Sequence, residues 1–306
     1  MDWNIYKTIL RSNLSTWFQQ VRDIQSKSFG EDELLFQLNE NILDAFSAMV
    51  DSYSSNESIN EWLEKEKVRQ KQKSLQTKMG DLHEIMIRSL KPSIQKQIAT
   101  PDPKTGNSLR IYDLYDDTNN WIAEIKNKHN TTKGEDRKAS FDKLKKGLSL
   151  KENGYTAYYI TIIRGSHNKV NSLFTPSDNT SGSNLSDSKI KHVDGETFYE
   201  MITSDPDGLS KAFDCLKDLL KEEFRVSSDD DELLGKIKSL TLFKTKVNIN
   251  TAGIEALCYL PGIGKSTAEL IIHSRNEKLF SYITDIQNIK GIGKVLYSKV
   301  ESYIEV

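Results

Sequence analysis

The chain has 306 residues, of which 37% are hydrophobic and 28% are charged, and its formal net charge is −2. This composition supplies a core for one large or two modest domains and excludes an intrinsically disordered chain. No run approaches the ~18 consecutive apolar residues of a membrane span, and the start lacks a signal-peptide pattern, so we expect a soluble, cytoplasmic protein without a membrane partner.

Two cysteines, Cys215 and Cys258, are too few for a four-ligand zinc site or a disulfide framework, so any metal is expected to be held by oxygen ligands.

Charge is unevenly distributed along the chain. Between Trp121 and Val170 there are eleven Lys or Arg residues against five Asp or Glu, whereas the segment from Asp205 to Glu232 is acidic. A local basic surplus of this kind favours a polyanionic partner.

The first hundred residues predict helices, including a long charged helix from Ile59 to about Leu90. Three prolines then interrupt the helical pattern: Pro92, Pro101 and Pro103. The runs Arg110 to Leu114 and Trp121 to Ile125 are separated by five turn-forming residues, which predicts a β-hairpin.

A helix is predicted over Glu135 to Leu150, and the β-branched and aromatic run from Tyr155 to Ile163 predicts a buried strand. The polar segment Ser166 to Asp187 is expected to be a long loop. A further helix is predicted from about Leu209 to Phe224. The acidic run after Val226 is interpreted as a linker to a small domain that begins near Leu240.

The predicted hairpin brings acidic side chains together. If its turn is centred between Asp117 and Asn120, Asp113 falls opposite Glu124 on the neighbouring strand. Because residues two apart share one face of a strand, Lys126 projects to the same side and Ile125 to the other.

Two carboxylates, a strand carbonyl and a substrate phosphate suit a hard cation such as Mg²⁺. Lys126 would then orient the attacking water or neutralise charge that develops on the phosphate. The alternative is that Glu124 and Lys126 are ordinary exposed strand charges. The strand context and the polar residues that follow favour the metal site.

These residues resemble a known group of enzymes. Asp113 followed by Glu124, Ile125 and Lys126 resembles the PD-(D/E)XK nuclease signature, with Tyr112 in place of the usual proline. Further stretches resemble the GGNCC-cutting type II restriction endonucleases of the Sau96I kind over about residues 1 to 225. They are Trp62, the run 69–73 (RQKQK), the run 80–84 (GDLHE) and, above all, the run 123–131 (AEIKNKHNT).

The resemblance implies a Mg²⁺-dependent enzyme that cuts both strands of duplex DNA. It implies that Asp113 and Glu124 are metal ligands, with the Ile125 carbonyl beside them, and that Lys126 is the catalytic lysine. Many relatives add an acid from a helix. Asp81 and Glu84 both fit that role, and we favour Glu84.

Polar residues near the predicted site are candidates for DNA contacts. His129 is interpreted as a hydrogen-bonding residue without an assigned proton transfer. Long donors on the predicted helix offer a second set, although a solvated helix face explains them as well. The candidates are Asn127, Lys128, His129 and Asn130 in the polar run, and Arg69, Gln70 and Lys73 on the helix.

Residues 247–306 contain two apolar-Gly-Ile-Gly arrangements, which resemble the tandem helix-hairpin-helix domain of competence-type DNA-binding proteins. Glycines permit tight turns and a close approach of the backbone to phosphate. The candidate residues are Gly262, Gly264 and Lys265 in the first copy and Gly291, Gly293 and Lys294 in the second. The alternative is a pair of tight turns in a small helical bundle.

We therefore predict an α/β nuclease core, in which a mixed sheet is flanked by helices, with an N-terminal helical region and a small all-α helix-hairpin-helix domain. The expected catalytic domain is 1–235, with its helical region at 1–90 and its nuclease core at about 80–225, and the DNA-binding domain is 240–306.

The leading hypothesis for function is a type II restriction endonuclease that cuts duplex DNA at a GGNCC-like site. A homodimer is the simplest arrangement for a palindrome, and a cognate methyltransferase is the expected functional partner. The alternatives are a non-catalytic helix-hairpin-helix DNA-binding protein and a structure-specific repair nuclease.

Overall fold

The computed structural model of the chain describes residues 1–26, 45–101, 108–128, 134–165, 169–178, 183–225, 231–242 and 246–306. The described residues form two compact units. The first unit ends after the helix that closes at Phe224, and the second begins with the helix that starts at Asp231. No helix in these ranges has the length and apolarity needed to cross a bilayer.

The first unit contains six helices and eight strands within its described residues. The helices are α1 (Trp3–Ser26), α2 (Ala45–Ser54), α3 (Ile59–Arg88), α4 (Gly134–Ser149), α5 (Gly195–Thr203) and α6 (Gly208–Phe224). The strands are β1 (Ile94–Lys96), β2 (Thr100–Pro101), β3 (Ser108–Leu109), β4 (Leu114–Asp116), β5 (Trp121–Lys128), β6 (Thr156–Ile163), β7 (Asn171–Leu173) and β8 (Ile190–Asp194).

Six strands form one mixed sheet in the order β1-β4-β5-β6-β8-β7, while β2 and β3 pair separately. The neighbours β5, β6 and β8 are parallel, and the pairs β1/β4, β4/β5 and β7/β8 are antiparallel. Helix α4 connects the parallel strands β5 and β6, as a crossover between parallel strands requires. The predicted mixed sheet with flanking helices is therefore confirmed.

The turn between β4 and β5 is held by Asp116, which is fully buried. Its Oδ1 accepts hydrogen bonds from the backbone amides of Thr118 and Asn119, and its Oδ2 accepts from the Asn119 side chain and from Ser93. Asn120 closes the turn at φ 51°, a conformation that asparagine tolerates. This turn fixes the pairing of Leu114 with Ala123, so the predicted register is confirmed.

The long charged helix α3 is also confirmed, and its start is set by a capping box. The Ser58 hydroxyl accepts from the backbone amide of Glu61, and the Glu61 carboxylate accepts from the backbone amide of Ser58. These two bonds satisfy amide groups that the first helical turn leaves unpaired. Near its other end, α3 buries Leu82, Met86 and Ile87, so the face that carries them packs against the rest of the first unit.

Helices cover both faces of the sheet. On one face, Ile122 and Ala157 share a buried cluster with Phe141 and Leu144 of α4. Gly147 permits this close packing, because a Cβ there would lie 2.6 Å from Cδ1 of Ile122. On the other face, Trp121 and Tyr158 make edge contacts with Phe198 of α5. Successive residues of β5 therefore alternate between the two layers, as strand geometry requires.

Three expectations about local structure are wrong. The strand predicted over Arg110 to Leu114 begins only at Leu114, because the amides of Ile111 and Tyr112 donate to Oε1 of Gln97. The segment Ser166 to Asp187, predicted to be a loop, contains β7 and a bridge between Ser177 and Asn184.

The third expectation concerns the acidic linker. Helix α7 (Asp231–Thr241) forms there, with Asp231 and Glu232 in its first turn. Acidic side chains at that end are favourable, because the N-terminus of a helix carries partial positive charge.

The rest of the second unit consists of β9 (Val247–Asn248), α8 (Ile254–Cys258), α9 (Lys265–Glu277), a 3₁₀ turn (Ile283–Asn288), α10 (Lys294–Val300), a second 3₁₀ turn (Glu301–Tyr303) and β10 (Ile304–Glu305). Strands β9 and β10 pair in parallel and join the two ends of this segment. The two copies of the glycine motif contribute matching residues to one buried core, which includes Leu260 and Ile263 from the first copy and Ile289 and Ile292 from the second. The two copies therefore form one small domain, as repeats with a shared core do.

Candidate active site

Asp113 lies immediately before β4, at the edge of β5. Its backbone amide donates to the carbonyl of Ala123, the partner of Leu114, at 2.8 Å. Its Oδ2 accepts from the backbone amide of Ile125 at 2.7 Å. Because both bonds are to β5, the Asp113 carboxylate is fixed against that strand beside Glu124.

Glu124 and Lys126 share one face of β5, as predicted. The Lys126 ammonium lies 2.8 Å from Oε1 of Glu124, and the Glu124 side chain is only 5% exposed. A charged carboxylate this deeply buried requires a cationic partner. The hypothesis of ordinary exposed strand charges therefore does not fit Glu124.

The structure distinguishes the two helical acids. Glu84 is buried on α3, forms an ion pair with Arg110, and lies 2.8 Å from the ammonium of Lys96 without hydrogen-bond alignment. Asp81 points to a more exposed position, where it lies 3.5 Å from Lys78 on the same helix. Glu84 is the acid that reaches Asp113 electrostatically. We call Glu84, Asp113, Glu124 and Lys126 the carboxylate site.

Electrostatic coupling links the members of the carboxylate site. Burial and then the charge of Glu124 raise the pKa of Asp113 to about 6, although Arg110 and the Ile125 amide act in the opposite direction. Burial acts to lower the pKa of Lys126, but Glu124 and Asp113 outweigh it, so that the pKa of this ammonium is raised. The site therefore holds a protonated lysine beside two acids that repel each other.

These residues fit a divalent cation. A cation between Asp113 and Glu124 would relieve the repulsion that raises the pKa of Asp113. Mg²⁺ commonly binds through one or two carboxylates, with water and substrate phosphate completing its shell. Within the described ranges no three His, Cys, Asp or Glu side chains form a ready-made metal cluster. An ion held by Asp113 and Glu124 would therefore need water or substrate oxygens as its further ligands.

The polar run after β5 is partly described. Oδ1 of Asn127 lies 2.9 Å from Nε2 of His83 on α3, and Lys128 is exposed at the end of the strand. Burial lowers the pKa of His83, against the effect of its bond to Asn127, so the ring is neutral near pH 7. Asn127 therefore ties α3 to the end of β5. His129 and Asn130 lie outside the described residues.

Two of the three helical candidates for DNA contacts, Arg69 and Gln70, have partners within α3. Arg69 forms an ion pair with the buried carboxylate of Glu66, and the amide of Gln70 donates to the same carboxylate at 2.6 Å. Lys73 is exposed on the same helix. A role for these three residues in DNA binding stays a prediction.

Three basic residues near the site were missed by sequence reasoning. Arg110 contacts both Glu84 and Asp113, Lys96 contacts Glu84, and the ammonium of Lys143 on α4 lies 4.0 Å from Oε1 of Glu124. Arg110 stands three residues before Asp113, which was the one local signal in the sequence. Lys96 and Lys143 are brought to the acids by long-range folding.

The glycine hairpins of the second unit have closely similar backbones. Gly262 and Gly291 have φ values of 80° and 97°, a region that favours glycine. Each turn is closed by a bond across it, from the Ile263 amide to the Leu260 carbonyl and from the Ile292 amide to the Ile289 carbonyl.

Both hairpins lead directly into helices. Gly264 and Gly293 precede α9 and α10 in extended conformation, and the first residues of these helices, Lys265 and Lys294, are exposed. Each hairpin therefore presents backbone and a basic side chain beside a tight turn.

Comparison with known proteins identifies the first unit. The family model described as "Eco47II restriction endonuclease" matches residues 9–224, and this range contains the whole carboxylate site. The chain belongs to the Eco47II restriction endonuclease family. No solved structure matches the chain.

Two curated relatives support membership of this family. The type II restriction enzyme Eco47II of Escherichia coli is 32% identical over 182 residues, which cover 58% of this chain and 71% of the relative. The type II restriction enzyme Sau96I of Staphylococcus aureus is 29% identical over 175 residues, which cover 56% of this chain and 63% of the relative. Type II restriction enzymes are site-specific deoxyribonucleases, so this Eco47II-family chain has relatives that cut DNA.

A separate match covers the C-terminal part of this Eco47II-family chain. The model described as "Helix-hairpin-helix motif" matches residues 243–305. ComE operon protein 1 of Bacillus subtilis (strain 168) is 46% identical over 61 residues, which cover 20% of this chain and 30% of that protein. The predicted helix-hairpin-helix region is therefore confirmed.

Proposed function

We propose that this protein is a Mg²⁺-dependent type II restriction endonuclease that cuts duplex DNA at a GGNCC-like palindrome, and that its core is of the PD-(D/E)XK type. The observation that carries the proposal is that Asp113, held by the Ile125 amide, lies beside the ion pair of Glu124 and Lys126 on β5, within the range matched by the family. The choice of GGNCC rests on the resemblance of residues 123–131 to enzymes that cut this sequence.

Each member of the carboxylate site has a proposed role. Asp113, Glu124 and the carbonyl of Ile125 would hold Mg²⁺, with Glu84 as the additional helical acid. When bound, the ion supplies Lewis acidity and a water molecule that is easier to deprotonate. Lys126, which its acidic neighbours keep protonated, donates to the phosphate oxygen on which charge develops.

We assign DNA affinity in part to residues 240–306 and catalysis to residues 1–235. Gly262, Gly264, Gly291 and Gly293 allow the hairpin backbones to approach phosphates. Lys265 and Lys294 add contacts that weaken as salt rises. This part of the protein binds the duplex without reading its bases. Sequence is read by the first unit, for which the candidates are Asn127, Lys128, His129, Asn130, Arg69, Gln70 and Lys73.

Cleavage of both strands of a palindrome requires two active sites related by a two-fold axis, so we propose a homodimer. A methyltransferase that modifies the same sequence would protect the host DNA, and both enzymes would act in the cytoplasm. A methyltransferase gene beside the gene for this chain would support the assignment.

The test is digestion of a plasmid with Mg²⁺, followed by sequencing of the ends. The proposal predicts discrete fragments whose ends all map to one GGNCC-like palindrome, and it predicts no cutting in excess EDTA. Tight duplex binding without any cutting would support the non-catalytic DNA-binding alternative. Cutting governed by branches or damage and indifferent to sequence would support a repair nuclease. Either result would overturn the proposal.

A further inference from the structure

Arg110 bridges two of the candidate acids. Its Nη2 lies 2.8 Å from Oδ1 of Asp113 and also donates to Oε1 of Glu84 on α3. Its Nε donates to the carbonyl of Tyr112 at 3.2 Å, so the guanidinium is held from two directions. One cationic group therefore joins an acid of the helix to an acid at the start of β4.

Lys96 and Lys126 each form an ion pair with one acid of the site. Lys96 forms its ion pair with Glu84, and Lys126 forms its ion pair with Glu124. Of the described ion pairs of the carboxylate site, those of Arg110 are the ones that join two acids. Substitution of Lys96 therefore removes one positive charge near Glu84 without removing a partner of Asp113.

The charge of the site constrains what happens when a divalent cation arrives. Three acids face four cations, because Lys143 also lies near Glu124, and a guanidinium cannot lose its proton in a protein. A divalent ion bound to Asp113 beside an unmoved Arg110 would add two positive charges to a site in which cations already outnumber acids. The ion pair of Arg110 with Asp113 also places the guanidinium against Oδ1, an oxygen that could otherwise bind the ion.

We propose that Arg110 is the internal counter-ion of the carboxylate site: it holds Asp113 and Glu84 together before metal binds, and it releases Asp113 when a divalent cation takes that carboxylate. Arg110 is a positioning residue in this scheme and competes with the ion. The inference rests on the proposed function, because it takes Asp113 to be a metal ligand.

The test measures metal binding without DNA and without turnover. Mn²⁺ is titrated into the full-length protein, and bound ion is obtained from the loss of the EPR signal of free Mn²⁺. The variants are Arg110→Gln, the matched control Lys96→Gln, and Asp113→Asn. We expect Arg110→Gln to bind Mn²⁺ about tenfold more tightly than the wild type, the scale of one charged hydrogen bond. We expect a gain below about threefold for Lys96→Gln.

The outcomes separate the inference from the proposed function. If Asp113→Asn binds Mn²⁺ as well as the wild type does, Asp113 is not a ligand and the proposed site fails. If Asp113→Asn loses binding but Arg110→Gln gains no more than Lys96→Gln, the site stands and the role of Arg110 is overturned. The gain must also disappear in the double variant Arg110→Gln/Asp113→Asn, and its persistence would place the extra affinity elsewhere and overturn the inference.

A second variant allows the test to be made if Arg110→Gln does not fold. If circular dichroism shows that Arg110→Gln is unfolded, Arg110→Lys takes its place, because an ammonium keeps the charge but lacks the planar fork that reaches two carboxylates. We expect a gain of about threefold for Arg110→Lys over the wild type, since the competing bond to Asp113 is weakened. Affinity equal to or below that of the wild type would contradict the inference.

Discussion

The carboxylate site of the first unit and the glycine hairpins of the second unit are built by opposite means. The carboxylate site gathers buried and half-buried side chains from α3, from the loop before β4 and from β5, and basic neighbours compensate the charges of its acids. Each hairpin is one contiguous segment, in which glycine conformations shape the backbone and an exposed lysine follows. One region depends on long-range packing and charge, and the other depends on local backbone geometry.

Under the proposed function, the carboxylate site carries out cleavage and the hairpins contribute affinity for the duplex. Substitutions in the carboxylate site are expected to change the cleavage step and to leave duplex binding by the hairpins intact. Substitutions in the hairpins are expected to weaken duplex binding and to leave the cleavage step intact. Each of the following predictions tests whether the two regions have these separate roles.

The largest effect is expected for Glu124→Gln. The change removes a proposed metal ligand and the partner of Lys126, so we expect cleavage to fall by at least about 10²–10³-fold, the scale of losing one group that stabilises a transition state. Single-turnover cleavage and a filter-binding assay in Ca²⁺ measure the two effects separately. The matched control is Asp117→Asn, at the tip of the same hairpin, where the acid is paired with Lys151. A comparable loss of cleavage in both variants would contradict the role of Glu124.

The two helical acids offer a second comparison. Glu84→Gln is expected to lower the cleavage rate by about 10–100-fold, because it removes the negative charge that pairs with Arg110 next to Asp113. Asp81→Asn, three residues earlier on α3, is expected to have no effect, since Asp81 lies at an exposed position and pairs with Lys78. Single-turnover rates at saturating Mg²⁺ provide the measurement. Loss of activity in Asp81→Asn with full activity in Glu84→Gln would exchange the two assignments.

The raised pKa of Asp113 predicts a pH dependence. With a pKa of about 6, the carboxyl is protonated below that pH and cannot bind a cation. At limiting Mg²⁺, cleavage is expected to rise by up to about tenfold per pH unit below pH 6 and to level off above it. Because the ion competes with the proton, more Mg²⁺ should move the midpoint to lower pH. A midpoint that does not respond to Mg²⁺ would rule out Asp113 as the titrating ligand.

The exposed lysines of the hairpins are expected to act on affinity alone. Lys265→Ala and Lys294→Ala should each weaken binding to duplexes of any sequence and reduce the salt dependence of log K by about one. The cleavage rate at saturating DNA should not change. Lys278, exposed at the other end of α9, supplies the control Lys278→Ala. A loss confined to one DNA sequence would mean that these lysines read bases.

The smallest effect is expected for the backbone of the second hairpin. Gly291→Ala places a Cβ at φ 97°, so we expect the free energy of unfolding to fall by about 1–2 kcal/mol. Gly235→Ala is the matched control, because this glycine lies within α7 with nothing close to a Cβ, where alanine favours the helix. Urea unfolding of the full chain measures both. Equal destabilisation would show that the backbone conformation of Gly291 does not matter.

The sequence predicted the parts of the fold that local pattern determines. Helix α3, the strands β5 and β6 with α4 between them, and the register of Leu114 with Ala123 follow from periodicity and turn residues. Strand β8 and helix α5 were not predicted. Strand β8 (Ile190–Asp194) mixes charged and apolar residues, and its pairing with β6 comes from distant parts of the chain.

The same contrast between local pattern and long-range packing applies to the hairpins and the carboxylate site. The two glycine turns were predicted, because their residues are contiguous and their glycines fix the turns, whereas their contacts with DNA stay a prediction. Of the carboxylate site, the acids and Lys126 were predicted, but the bridging role of Arg110 was not. That role depends on α3 bringing Glu84 to the loop before β4, which no local spacing reveals.

The central claim is that Asp113 and Glu124 share one divalent ion. Crystals of the full-length protein grown with Mn²⁺ and a duplex that contains GGNCC allow the ion to be located by anomalous scattering. We predict one peak within about 2–2.5 Å of a carboxylate oxygen of each residue. The account would be contradicted if the ion were bound by other groups, or if only one of Asp113 and Glu124 contacted it.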